Sequence, residues 1–216
     1  MNKILDKLGV YDLIAVLLSG ISISTFSILV LQLVYKIPMD VNFKVNETLS
    51  FLILSYFLGL IFQECSSFIQ KKTIHRNNGL LKTALKTSND SHIFLTKIEK
   101  DEVYAYVINK LKLNPNENND NVVYNYCKFY ILKNSDTSRI DRDQSISAMS
   151  RSLSLYFALL TITVLINIFF QPQFVKFILI VISLTFTFLF YYRCKRFNKL
   201  RYINIFRTFY YNVVVK

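Results

Sequence analysis

Glu64 is the one acidic residue inside an otherwise apolar run, residues 48–70. A charge left uncompensated at the centre of a bilayer costs about 2.5–3.5 kcal/mol or more, so a carboxylate in such a segment calls for a partner. Arg151 and Arg193 border two later apolar runs at a matching depth, and the hydroxyls of Ser66, Ser67 and Ser150 lie at the same level. Two chemistries follow. Paired with Arg151 or Arg193, Glu64 closes the inner end of a helical bundle as a structural ion pair. If the pair opens, the same residues form a gate or a proton-accepting site.

Other reactive side chains give weaker patterns. Asp136, Asp141 and Asp143 stand close together ahead of the third apolar run. They would hold a metal in a lipid-modifying enzyme, although a solvated helix start, where carboxylates meet free backbone N–H groups, is the plainer reading. His75 and His92 are far apart and read as surface residues, and the chain has no Gly-rich phosphate loop, HExxH, CxxC or GxSxG pattern. Cys65, Cys127 and Cys194 lack metal-ligand spacing and read as reduced thiols. No enzymatic activity, cofactor or metal is expected.

The elements that must position these residues are four apolar runs, each long enough at about 1.5 Å per residue for the roughly 30 Å hydrocarbon core of a bilayer. They cover residues 13–35, 48–70, 152–170 and 174–192; the last two are separated only by Gln171, Pro172 and Gln173 and form a helical hairpin. The first run exceeds the usual length of a signal-peptide core and is expected to remain in place. The predicted fold is all-α: an integral membrane protein with four transmembrane helices in two hairpins and a helical cytoplasmic insert, residues 71–151. A short lead-in, residues 1–12, ends in Asp12 as a helix cap. Residues 36–47 and 171–173 form outer connections, and residues 193–216 an inner amphipathic basic helix.

The net charge of +12 follows from this topology. Of the 26 Lys and Arg residues, two precede the first run, fourteen lie between Lys71 and Arg151 and seven follow from Arg193, leaving Lys36, Lys44 and Lys176 outside. That is the asymmetry of the positive-inside rule, with both termini cytoplasmic. Lys71, Lys72, Arg193, Lys195, Arg196, Lys199 and Arg201 are candidates for contact with lipid headgroups. Arginines interleaved with Tyr and Phe also suit single-stranded nucleic acid, but directly after an apolar run they point to lipid, or to packing on the insert, and no specific nucleic acid is expected.

Within the insert, a break at Asn77-Asn78-Gly79 precedes a short helix from Leu80, a second helix over 96–113 and a third from Asn121 to Leu132. A strand over 122–132 competes with the third, because its residues are β-branched and aromatic. The next helix starts near Thr137 and runs directly into the third apolar run. The fourth run continues inward with Phe197, Leu200, Ile203, Phe206, Tyr210 and Val213 on one face. Gly20, Ser24, Ser27, Ser55 and Gly59 let helices approach closely and build bundles or oligomers. Together with Gln32, Gln63, Thr161 and Asn167, they would alternatively line a polar path.

In architecture, the four apolar runs and the interval 71–151 resemble small bacterial inner-membrane proteins with two helical hairpins and a helical cytoplasmic insert. Several of these are sensors or pore-forming effectors of phage-defence systems. The resemblance implies a homo-oligomeric, antiviral membrane component triggered by a cytosolic protein or second messenger bound through 71–151. A small transporter is the alternative, for which Glu64 alone qualifies as an intramembrane charge; the lipid-modifying enzyme comes third.

Overall fold

The computed structural model describes residues 10–35, 45–74, 95–114, 120–135 and 137–215. These residues form α-helices and no β-strand: α1 (Val10–Tyr35), α2 (Val45–Ile74), α3 (Lys97–Leu111), α4 (Asp120–Asn134), α5 (Ser138–Phe170) and α6 (Phe174–Phe209), closed by a π-helical turn, Tyr210–Val214. Four helices are long and apolar enough to cross a membrane. The break expected at Asn77-Asn78-Gly79, the helix expected from Leu80, residues 36–44 of the outer connection expected over 36–47, Asp136 and both histidines lie outside the described residues, while residues 45–47 of that connection already belong to α2. Asp12 falls inside α1 rather than ahead of it, so it does not cap that helix from the N-cap position.

The chain divides into two compact units, one of Met1–Lys71 with Ser145–Lys195, the other of Lys72–Gln144 with Arg196–Lys216. The first unit is apolar on its surface. Leu54, Phe57, Ile61, Phe68, Ile166 and Phe188 are all exposed, whereas Ser19, Ser24, Ser55, Ser66, Ser152, Thr161 and Ser183 are buried. In water that distribution is unfavourable, because hydroxyls are desolvated while large apolar side chains stay wet. In lipid it is the stable one, since the hydroxyls find partners only inside.

Those partners are specific. Ser55 donates to Ser24 Oγ at 2.9 Å, joining α2 to α1. Ser27 meets the Tyr156 hydroxyl at 3.0 Å, Thr161 meets Ser183 at 2.7 Å, and Ser154 donates to the Thr187 carbonyl at 3.1 Å. Helices α1 and α2 touch backbone to backbone where their glycines face each other. A Cβ added to Gly20 would lie 1.7 Å from the Ser55 carbonyl oxygen, and one added to Gly59 would lie 2.2 Å from that of Val16. An aromatic cluster fills the rest, with Phe157 packed between Phe26, Tyr156, Phe186 and Phe190.

The second unit is built the opposite way, with a conventional apolar core. Val103 and Val107 of α3, Val123, Cys127 and Ile131 of α4, Ile140 of α5 and Ile203, Phe206 and Phe209 of α6 are all buried together. On α4 the buried positions recur every fourth residue, the period of a helix and not of a strand, which decides against the strand alternative. Helix α3 begins with a reciprocal capping box: Thr96 accepts from the Glu99 N–H, and Glu99 accepts from the Thr96 N–H. It ends at Lys112 in the left-handed conformation (φ 53°), with the Lys112 and Leu113 N–H groups bonded to the Asn109 and Ile108 carbonyls.

Candidate functional site

Three helices of the first unit converge where their apolar stretches end. Helix α2 brings Ser66 and Gln70, α5 brings Ser147, Ser150 and Arg151, and α6 brings Cys194. Arg151 is half-buried. Its Nε donates to Ser66 Oγ at 3.1 Å and its Nη1 donates to Gln70 Oε1. Ser147 lies 3.4 Å from both the carbonyl oxygen and the sulfur of Cys194. Ser150 is fully buried, and its hydroxyl has no partner.

Sequence reasoning places Glu64 on Arg151 or Arg193, and this geometry differs. Glu64 is exposed on α2, and it acts on Arg151 only through the longer-range field, without an ion pair. The reason lies in helix spacing. Ser66 and Gln70, four residues apart, share the face of α2 that meets α5, whereas Glu64, two residues before Ser66, is turned well away from that face. Arg193 is exposed, as are Lys195 and Arg196, while Lys199 and Arg201 are half-buried. Lys71 and Lys72 continue α2 beyond the apolar stretch. Arg201 departs from a simple headgroup contact, because its Nε is buried within the protein.

Of the polar residues named for a path, Thr161 and Asn167 are engaged in contacts between α5 and α6. Thr161 is bonded to Ser183 and to the Phe157 carbonyl, and Asn167 accepts from Lys176. Lys176, read from the sequence as an outer-loop charge, has 0% of its surface exposed. Its ammonium also donates to the Gln171 carbonyl at 2.7 Å, so it caps the C-terminal end of α5 from the first turns of α6. A lysine just past a two-helix turn was the available signal, and hydropathy alone passed over it.

In the second unit the polar contacts tie helices together. Arg207 Nε reaches Glu99 Oε1 at 3.1 Å, and Asn204 donates to Asp143 at 2.6 Å. Asp143 is 1% exposed, which corrects the reading of a solvated helix start; Asp141 accepts from Thr137 at 2.7 Å. Among the described residues no group of three His, Cys, Asp or Glu side chains could hold a metal ion. Tyr104 donates to Asp120 at 2.7 Å; burial first, then that bond, raises its pKa. Burial pushes the Cys127 thiol up to about 12, which makes it an inert core residue.

Three aromatic residues of the basic tail, Tyr202, Phe206 and Phe209, turn inward. Phe209 packs edge-on against Tyr106, Tyr126 and Tyr130, Phe206 stacks on Tyr104, and Tyr202 meets Tyr124. Of the face expected from the sequence, Ile203 and Phe206 are buried, whereas Tyr210 and Val213 are only half-buried; Ile205 and Phe209 complete the buried face in their place. No protein-family model, curated protein or solved structure matches this chain.

Proposed function

We propose that this chain is a four-span membrane protein with its second unit and both termini in the cytoplasm, acting as an oligomeric sensor or effector that responds to a cytosolic partner. The observation that carries the membrane reading is the inverted first unit, apolar outside and hydroxyl-lined inside. The charge asymmetry supports the orientation.

The sensor reading is supported by the build of α5 and α6. Each helix supplies side chains to both units without a helix break. Ligand binding that repacks the second unit therefore acts on the same helices that carry Arg151 and Arg193. The association with phage defence rests on architecture alone. The polar-path alternative is weakened by the pairing of Thr161 and Asn167 within the helix bundle.

The test is in bacterial cells producing the wild type, with carbonate extraction to verify insertion and a voltage-sensitive dye as the readout. The expected result is a pellet-resistant protein that depolarises the membrane, with the effect altered in Arg151→Gln. A protein released by carbonate would refute the membrane reading. An inserted protein that leaves the potential unchanged would refute the pore-forming form of the effector.

A further inference from the structure

We propose that Arg151 anchors an anionic phosphate group at the inner end of the first unit. The guanidinium carries five N–H donors in a planar fork. Two bonds are made, to Ser66 and Gln70, and both acceptors are neutral. No carboxylate lies within ion-pair distance of Arg151 among the described residues. A half-buried cation therefore has its orientation fixed by neutral acceptors on α2, while Glu64 acts on it only at longer range and its second Nη nitrogen makes no hydrogen bond within the protein.

Arg193 and Lys195 flank Cys194, which meets this end of α5 through Ser147, and Glu64 is the acidic group that acts on Arg151. Phosphate suits this cation, because its several oxygens accept in parallel from the planar guanidinium fork. Two sources offer that chemistry, an anionic phospholipid headgroup and a free phosphate compound from the cytosol. The inference rests on the membrane reading only for the choice between them.

The experiment uses the full-length protein, extracted in detergent and delipidated. Native mass spectrometry would count adducts as dioleoylphosphatidylglycerol, dioleoylphosphatidylcholine or inorganic phosphate is titrated in. Retained phosphatidylglycerol, with little phosphatidylcholine and no displacement by inorganic phosphate, assigns the site to a lipid headgroup. Displacement by inorganic phosphate assigns it to a soluble ligand. In either case Arg151→Gln should weaken binding about tenfold, the loss of a charge-assisted hydrogen-bonded contact, while Lys195→Gln should change it little.

Equal weakening in the two variants would mean diffuse attraction to a basic surface and would overturn the proposal. So would wild-type protein that retains neither probe, a result that needs no variant to fold. Carbonate extraction reports separately on membrane insertion, so failure of the phosphate site and failure of the membrane reading are distinguishable.

Discussion

Replacing Gly20 by alanine should separate α1 from α2. The added methyl would lie 1.7 Å from the Ser55 carbonyl oxygen, 2.6 Å from its carbon and 3.1 Å from the Gly59 nitrogen. All three are backbone atoms, so no rotamer change relieves the clash. The helices must part by roughly 1.5 Å to restore van der Waals contact. That displacement breaks the 2.9 Å bond from Ser55 to Ser24, worth about 0.5–2 kcal/mol between membrane helices. It also loosens about ten close atom pairs along the seam at about 0.1–0.2 kcal/mol each. The sum is a loss of about 2–4 kcal/mol, opposed by about 1 kcal/mol from the better helix propensity of alanine.

The assay is reversible unfolding in mixed micelles, monitored by labelling of the buried cysteines Cys127 and Cys194. Ser22→Ala serves as the control, because Ser22 bonds only to the Leu18 carbonyl of its own helix. Gly59→Ala should behave like Gly20→Ala. Since propensity alone would stabilise the helix, a Gly20→Ala protein as stable as wild type, or more stable, would refute the close approach of the two helices.

Three further outcomes are expected in the second unit. Asn204→Ala removes the 2.6 Å bond to a carboxylate that is 1% exposed and should cost about 2–4 kcal/mol, measured by urea unfolding; a change below about 0.5 kcal/mol would show that Asp143 does not depend on it. Thr96→Ala should cost about 1 kcal/mol through the capping box, and in a double-mutant cycle it should couple to Arg207→Gln, because Glu99 bonds the Thr96 backbone and the Arg207 guanidinium; strict additivity would contradict that link. The Cys127 thiol, raised from 9.0 to about 12, keeps its proton at pH 8 with a thiolate fraction about a thousandfold lower than an ordinary cysteine. Maleimide labelling there should stay slow at pH 8 and rise only on denaturation; rapid labelling of the folded protein would show that the thiol is not buried.

Sequence by itself determined the described helices and their approximate lengths, because hydrophobic runs of bilayer length and a 3.6-residue period are local properties that survive without knowledge of neighbours. It also determined that Gly20, Ser24, Ser55 and Gly59 mediate helix contact, since small residues at i, i+4 spacing have few other uses in apolar segments. Tertiary structure decided which charges meet. Glu64 and Arg151 have a suitable depth in sequence, yet depth leaves the rotation of α2 about its axis undetermined, and that rotation gives Arg151 to Ser66 and Gln70. The burial of Lys176 and of Asp143 likewise depends on the neighbouring helices: Lys176 caps α5 from α6, and Asp143 on α5 receives Asn204 from α6. A charge that looks solvated along the chain becomes interior once another helix supplies its hydrogen bonds, and hydropathy carries no record of that partner.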